Sequence, residues 1–527
     1  MLGSKKDKVF TLFDIANAIL CILCFFIIVV GTQKFGPGVT HDSVAYLFAA
    51  SSVANGNGLQ YFVYTSPFIQ WPPLFPLILS IPNLLSIEPL TFSLYFNALG
   101  MSLALWVGSR TVRSLTKYSF MPTLFILMGL LSFPLLRMSF FVWSEPLFIL
   151  LTAIVFHILL TTDFNRINKH GYVRPVVLMA MITALACLTR YIGVVVIAVV
   201  CLYLLVKIKG LRNKIKSVFL YGAVSSVPTV LFIVRNYIVS GTLVGMRSPS
   251  GISMTTNVQR AVKTVAGWLF PVVAEPETLQ RPLYYGVLAI CILLSLLFLW
   301  QIIVSPRKRL ALLFLLSFCI VYSVYMVVSA TKVAFDPISD RYMIPVMVPL
   351  LTWLVLILDG FLENIASSWT SSALIKKVLN SMMSIILAGF LLYSLTANAI
   401  ILKDSTLKAT REGAGGFHTT YWKQHSFLGQ MSQLEDSDMI YTNDPSAVHF
   451  LTGKPVHYTP KTFGLPLYGY ETFLKESENY HKKTIIWFGK EVSTTLYTPQ
   501  QFSEDFTVSE IYKNEAFSMY TLERKGL

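Results

Sequence analysis

Residues 12–30 read LFDIANAILCILCFFIIVV, and about ten positions later residues 41–47 read HDSVAYL. The first stretch is long and apolar enough to cross a bilayer as one helix. The second stretch places an acid, Asp42, where the chain first leaves the membrane. Because an ionised carboxylate next to lipid is costly, it usually has a function. Asp42 is therefore the first candidate for chemistry, and the charges on its side of the membrane come next.

The composition extends this apolar pattern to most of the chain. Of the 527 residues, 54% are hydrophobic and only 13% are charged, and the mean hydropathy is +0.62. A soluble protein carries about 25% charged residues. The repeated apolar runs predict a polytopic α-helical membrane protein with about eleven spans, each of the length that a bilayer requires.

The basic residues determine the predicted orientation. Lys5, Lys6 and Lys8 precede the first span, and short basic loops recur on the same side of the predicted topology. That side faces the cytoplasm by the positive-inside rule. We therefore predict a multi-pass protein of the plasma (inner) membrane, with a cytoplasmic N-terminus and an extracytoplasmic C-terminal domain.

The formal net charge of +15 also comes from the basic loops between the predicted spans. From Lys403 onward the chain has 13 basic and 15 acidic residues, which leaves 29 basic and 12 acidic residues before that point. Since the excess lies in membrane loops, we predict no nucleic-acid partner. The sequence also lacks a P-loop, G-x-S-x-G and a dinucleotide fingerprint, which argues against ATP-driven transport and serine-hydrolase chemistry.

Two domains are predicted, a transmembrane module at residues 1–402 and a soluble extracytoplasmic domain at residues 403–527. In the outer loop 32–90, helical periodicity predicts an interfacial helix at Ser43–Asn55, and the run Trp71–Pro76 opens a second interfacial element. In the C-terminal domain, residues 439–442 and 484–488 predict buried strands, and residues 517–521 predict an edge strand. A small α/β fold is expected there.

The predicted topology collects several charged side chains on the outer face. Cations at such a place suit a lipid-linked phosphate, and a carboxylate suits proton removal from an incoming hydroxyl or amine. We predict Asp42 and Glu145 as catalytic acids. The predicted donor-phosphate ligands are Arg190, Arg235, Arg247 and Arg341.

Each candidate also has a local explanation. Asp42 is suited to cap a helix that starts at Ser43, and Glu145 before Pro146 suits the first turn of a helix. Arg190 between two apolar runs has the position of a side chain that snorkels to headgroups. Asp340 is suited to pair with its neighbour. His41 and Asp42 together make a weak case for a divalent cation, and no metal site is predicted from them alone.

Taken in order along the chain, the motifs resemble those of GT-C superfamily glycosyltransferases, in the branch of protein O-mannosyltransferases and the lipid A aminoarabinose transferase. The motifs that carry this resemblance are His41-Asp42-Ser43-x-x-Tyr46, Gly56-Asn57-Gly58, Trp71-Pro72-Pro73-Leu74-Phe75-Pro76, Ser144-Glu145-Pro146, Leu188-Thr189-Arg190-Tyr191, Arg235-Asn236-Tyr237, Asp340-Arg341-Tyr342 and Asn443-Asp444-Pro445.

The resemblance implies a polyprenyl-phosphate sugar donor, no nucleotide, and an inverting transfer on the outer face to a glycan, lipid or protein acceptor. The family's first-loop acid maps onto Asp42. Ser43 and Val44 depart from the commoner paired acid, which leaves Glu145 as the second acid and a metal requirement in doubt. The side chains expected to bind substrate are His41, Tyr46, Trp71, Tyr191 and Tyr342.

Two other functions fit parts of the pattern. A lipid or solute transporter or flippase would place charges near the bilayer centre and show internal pseudo-symmetry, but the charges here favour one face. A non-catalytic receptor built on the outer domain leaves the charges at the membrane edge without a role.

Overall fold

A computed structural model describes residues 12–164, 173–245, 247–271, 292–303, 305–369, 374–424, 427–431, 434, 439–462, 469–477, 482–490, 493 and 495–525. Lys5, Lys6, Lys8 and Cys291 lie outside these residues. The cysteines within them are free thiols.

The described part of the chain is a polytopic helical protein, as predicted. It contains six helices long and apolar enough to cross a membrane, and a bent pair that adds a seventh if counted as one span. Shorter apolar helices lie between them, among them Glu145–Thr161 and Val173–Thr189. The sequence predicts a span over about 145–161 and the end of the next span near Thr189, and both agree with these helices.

The chain divides into two compact units. The first holds residues up to 34, 94–235 and 247–411. The helices that lie wholly or mainly in it are α1 (Leu12–Thr32), α4 (Pro89–Leu115), α5 (Met121–Leu131), α6 (Phe133–Arg137), α7 (Glu145–Thr161), α8 (Val173–Thr189), α9 (Val194–Lys207), α10 (Leu211–Ser240), α11 (Met254–Leu269), α12 (Ile292–Ile303), α13 (Pro306–Lys332), α14 (Asp340–Met343), α15 (Met347–Trp369) and α16 (Leu374–Glu412).

The second unit holds residues 35–93, 236–246 and the chain from 412 onward. Its helices are α2 (His41–Ala54), α3 (Leu74–Leu84), α17 (Thr420–Gln424), α18 (Phe427–Met431), α19 (Pro445–Thr452) and α20 (Tyr470–Ser477). Its strands are β1 (Met439–Thr442), β2 (Val456–Tyr458), β3 (Lys482–Phe488), β4 (Phe506–Lys513) and β5 (Phe517–Arg524).

One predicted span is bent. The apolar run predicts a span over about 120–136, whereas helices α5 and α6 with the turn that follows meet at 64° across Ser132. Pro134 has no N–H to donate to the preceding turn, and its ring clashes with the carbonyl four residues earlier. The backbone at Ser132 is accordingly extended.

The sheet of the second unit has the order β2-β1-β3-β5-β4. Strands β2, β1 and β3 are parallel, and β3, β5 and β4 are antiparallel. The prediction that residues 517–521 form an edge strand is wrong, because β5 pairs on both sides. Its side chains join the buried core of Tyr441, Phe473, Ile485, Phe502, Phe506, Tyr520 and Leu522.

A buried charge lies beside this core. Lys483 on β3 is 1% exposed, and its Nζ lies 5.6 Å from the Tyr441 ring and 5.0 Å from the Phe473 ring. His457 on β2 stacks on Tyr64 at 3.8 Å. Burial, and then the charge of Lys483, lowers the pKa of His457 to about 4.

We predict that acid loosens this part of the sheet. Between the ordinary histidine pKa of 6.5 and about 4, unfolded His457 binds a proton and folded His457 does not. Stability therefore falls as the pH drops through this window, by at most about 2 kcal/mol at pH 5. Hydrogen exchange of the β1 and β2 amides in the full chain should accelerate from pH 7.5 to pH 5, after correction for intrinsic rates.

The matched control is His457→Gln, which does not titrate. Its pH dependence should be flatter than that of the wild type over the same range. Equal pH dependence in the two proteins would show that His457 is not the group responsible.

Candidate active site

In the first unit, the structure brings together three side chains that are far apart in sequence. Glu145 is the first residue of α7 and is fully buried. Its Oε1 forms an ion pair with Arg190 Nη1 at 2.6 Å and accepts a hydrogen bond from Arg341 Nε at 2.8 Å. The two arginine side chains are 17% and 13% exposed. We call Glu145, Arg190 and Arg341 the paired-arginine cluster.

Local sequence explains how each member reaches its position. Pro146 suits the second position of α7, and a carboxylate in the first turn interacts favourably with the helix dipole. Arg190 lies at the break between α8 and the turn Tyr191–Gly193, with extended backbone. Arg341 is the second residue of the short helix α14. All three therefore lie at helix ends, where side chains are free to project toward a common point.

An aromatic layer supports Arg341. Its guanidinium lies 4.3 Å from the centre of the Trp143 ring, and Trp143 stacks on Phe141 at 4.1 Å. Asn97 Nδ2 donates to the carbonyl oxygens of both Phe141 and Trp143. The loop before α7 is thus anchored by a buried amide. A polar Asn97 within an apolar span was the sequence signal for it.

The neighbours of Arg341 have partners of their own. Asp340 Oδ1 accepts from Trp268 Nε1 at 2.8 Å, and Arg341 Nε donates to Glu145; a pairing of Asp340 with Arg341 stays a prediction. The carbonyl of Tyr342 accepts from Tyr322 Oη at 3.0 Å, and the Tyr342 ring packs at 5.1 Å from Phe335. Sequence reasoning missed Trp268, which lies on the amphipathic helix α11.

The electrostatics of the cluster favour an anion. Two guanidinium groups and one carboxylate give a net charge of +1 in a buried environment, where charges interact more strongly than in water. Glu145 Oε2 is buried and has no hydrogen-bond partner among the residues that the structure describes. Paired guanidinium groups are well suited to phosphate oxygens. The Arg190 side chain pairs with buried Glu145, whereas the alternative interpretation from the sequence is that it extends toward lipid headgroups.

The two other predicted phosphate ligands have different surroundings. Arg235 on α10 lies with its guanidinium 5.7 Å from the Phe232 ring. Arg247 is exposed. Their role at a phosphate stays a prediction, as does substrate binding by Tyr191 and Tyr342.

In the second unit, Asp42 is the second residue of α2 and is half-buried. The helix starts at His41, and Thr40 occupies the N-cap position. The suggestion that Asp42 caps a helix starting at Ser43 is therefore wrong. His41 is exposed, and its Nε2 lies 3.2 Å from Asp444 Oδ1.

The aromatic residues predicted to bind substrate lie next to α2. Tyr46 is 2% exposed and packs against Phe75 at 5.2 Å and Trp71 at 6.1 Å. Trp71 is half-buried and stacks on Phe68 at 5.7 Å. These contacts support helix α2, and substrate binding by Tyr46 and Trp71 stays a prediction.

The sequence makes a weak case for a divalent cation at His41 and Asp42. Within the described ranges, no three His, Cys, Asp or Glu side chains come together as a metal-binding group. The Nε2 atom of His41 lies 3.2 Å from Asp444 Oδ1. A divalent cation at His41 and Asp42 stays a prediction that the structure does not test.

Structural comparison places the chain in the GT-C fold. It aligns with ArnT from Cupriavidus metallidurans bound to undecaprenyl phosphate at a TM-score of 0.62 and 14% identity, over 95% of this chain and 97% of ArnT. It also aligns with AglB from Archaeoglobus fulgidus, in complex with an inhibitory peptide and a dolichol-phosphate. The TM-score is 0.52 and the identity 11%, over 91% of this chain and 70% of AglB.

A third similar structure is the arabinofuranosyltransferase AftD from Mycobacteria. It aligns at a TM-score of 0.51 and 12% identity, over 97% of this chain and 40% of AftD. No protein-family model and no curated protein sequence matches the chain. The fold predicted from the sequence motifs is thus confirmed.

We predict that Glu145→Gln destabilises the first unit. The amide keeps the shape of the side chain but removes the negative charge between two buried guanidinium groups. Breaking a buried ion pair on one side costs about 3–5 kcal/mol. The unfolding temperature of the purified protein in detergent, followed by tryptophan fluorescence, should fall clearly.

The double variant Glu145→Gln/Arg341→Gln should recover part of this loss, because it removes one of the two repelling charges. Ser144→Ala is the matched control, since Ser144 Oγ accepts only a long 3.5 Å hydrogen bond from Arg190. A wild-type unfolding temperature for Glu145→Gln would contradict the assigned role of this carboxylate.

Proposed function

We propose that this protein is a membrane glycosyltransferase. It transfers a sugar from a polyprenyl-phosphate-linked donor to an acceptor at the extracytoplasmic face, with inversion at the anomeric carbon. The acceptor is a glycan, lipid or protein. The membrane is the plasma (inner) membrane, with the N-terminus in the cytoplasm, as the distribution of basic loops favours.

The observation that carries this proposal is the paired-arginine cluster on a GT-C fold. ArnT, which shares this fold, was solved with undecaprenyl phosphate, and AglB with a dolichol-phosphate. A phosphate on a lipid needs buried cationic donors at the membrane edge. Arg190 and Arg341 supply two guanidinium groups at helix ends, held by one carboxylate.

The arginines act on the leaving group. When the bond between the anomeric carbon and the phosphate oxygen breaks, its electron pair passes to that oxygen, and the phosphate gains negative charge. Preorganised donors stabilise this charge as it develops. Glu145 keeps the two guanidinium groups together before the lipid arrives, because without it two like charges would repel each other in a buried environment. We take this holding role, and not proton transfer, as its main contribution.

Asp42 is the general base in this proposal. The acceptor oxygen or nitrogen attacks the anomeric carbon from the side opposite the phosphate, and Asp42 takes the proton that the acceptor loses. One bond forms as the other breaks, so the configuration inverts. Asp42 suits the role because it lies in the first turn of α2 and is only half-buried.

We predict that Asp42→Asn stops transfer without harming the fold. The amide cannot accept the proton, and loss of a general base costs about 10²–10⁴-fold in rate. The measurement is transfer of a radiolabelled sugar from a polyprenyl-phosphate donor by the protein in liposomes. Donor binding and the unfolding temperature should stay at wild-type values.

Asp336→Asn serves as the control, because Asp336 is an exposed acid in the loop before α14. It should leave transfer unchanged. Wild-type turnover by Asp42→Asn would remove Asp42 as the base.

We also predict that Arg190→Lys and Arg341→Lys weaken binding of the lipid phosphate. Lysine keeps the charge but loses the planar fork that matches phosphate oxygens. Binding of undecaprenyl phosphate, measured by native mass spectrometry, should fall about tenfold for each variant, in keeping with about 1.4 kcal/mol of lost interaction. Arg411→Lys, at the exposed end of α16, should bind like the wild type. Unchanged binding by both cluster variants would exclude the cluster as the phosphate site.

A further inference from the structure

Asp444 has two roles at once in the second unit. It is the N-cap of α19, where its Oδ1 accepts from the backbone N–H of Ala447 at 3.1 Å. The same oxygen lies 3.2 Å from His41 Nε2. His41 is the first residue of α2 and the neighbour of Asp42. A residue from the C-terminal part of the chain is therefore joined to the turn that carries the proposed base.

The backbone that leads into α2 is attached to the same C-terminal part. Phe417 N donates to the carbonyl of Val39 at 2.8 Å, and Val39 and Gly416 form a parallel bridge. Gly416 has a φ of +66°, and a Cβ there would lie 1.9 Å from the Val39 oxygen. Only glycine permits this close approach. His418 Nδ1 also lies 3.2 Å from the carbonyl oxygen of Pro37.

Ring contacts hold the rest of α2 against α19. His449 of α19 stacks on Phe62 at 5.0 Å and lies 5.4 Å from the Phe48 ring of α2. The His41 ring in turn lies 5.3 Å from Phe417. The first turn of α2 is thus constrained from two directions, by residues 416–418 and by the start of α19.

We propose that Asp444 is a positioning residue for Asp42 and acts through His41. The C-terminal part of the chain is then a component of the catalytic machinery, because it sets the direction of the first turn of α2. His41 serves this positioning role in place of the predicted substrate contact. This inference rests on the proposed function of Asp42 as the base.

The exposure of the pair decides what its loss should affect. His41 has a side-chain exposure of 63% and Asp444 of 22%, and exposed ion pairs shift a folding equilibrium by about fivefold at most. Global stability should therefore hardly change. A displacement of about 1 Å at a catalytic group lowers turnover by about 100-fold. The pair should thus matter for kcat more than for folding.

The experiment compares Asp444→Ser with Asp444→Asn in the full chain. Serine and asparagine both keep the N-cap of α19, but the serine side chain is too short to reach His41, whereas asparagine keeps an acceptor oxygen near it. Asp444→Ser should lower kcat about 10- to 100-fold with an unchanged KM for the polyprenyl-phosphate sugar donor. Asp444→Asn should lie between Asp444→Ser and the wild type.

A second readout does not depend on activity. Hydrogen exchange at residues 39–48 should be faster in Asp444→Ser and in His41→Gln, and their double variant should show no further increase. The unfolding temperature should stay close to that of the wild type. Faster exchange in the single variants, together with the loss in kcat, would support the proposal.

Two results would overturn the positioning role. One is wild-type kcat in Asp444→Ser, whatever its exchange. The other is exchange at residues 39–48 that does not differ from the wild type. Absence of glycosyl transfer in the wild-type protein is a different outcome, because it would refute the proposed function, and the exchange experiment would still report on whether Asp444 orders the first turn of α2.

Discussion

One buried carboxylate oxygen, Oε1 of Glu145, holds two guanidinium groups that would otherwise repel each other. Arg190 and Arg341 come from parts of the chain separated by about 150 residues, and both pair with the same oxygen of Glu145. The ends of α7, α8 and α14 therefore have to meet at this point. The membrane helices behind these ends supply the rigid frame on which the meeting point depends.

The stacking of Arg341 on Trp143 and the anchoring by Asn97 give the same point a second layer of support. Buried charges are stable only when paired and supported in this way. Stability alone does not explain the cluster, because apolar side chains of the same volume would stabilise the fold as well as the buried ion pairs do. Anion binding, as proposed above, would explain why charged side chains occupy this buried position.

Much of this architecture could be predicted from the sequence, and the limits have physical causes. The start of α7 at Glu145 follows from Ser144-Glu145-Pro146 and an apolar run, and the end of α8 before Arg190 follows from the next apolar run. The sequence does not predict that Arg190 and Arg341 share Glu145. A predicted topology assigns a side chain to one face of the membrane, but it does not say which side chains are in contact.

The errors have similar causes. The sequence does not predict the inner position of β5, because order along the chain does not determine order in a sheet. Hydropathy does not predict the bend at Ser132, because it is continuous across Pro134 and only the backbone chemistry of proline interrupts the helix. The N-cap role of Asp444 is readable from Asn443-Asp444-Pro445, but its approach to His41 depends on tertiary packing.

An experimental structure of the full chain with undecaprenyl phosphate would test most directly whether Arg190 and Arg341 bind the lipid phosphate. We expect phosphate density within hydrogen-bond distance of the guanidinium groups of Arg190 and Arg341, with Glu145 still in contact with at least one of them. A phosphate bound elsewhere, in a protein that still transfers sugar, would contradict it.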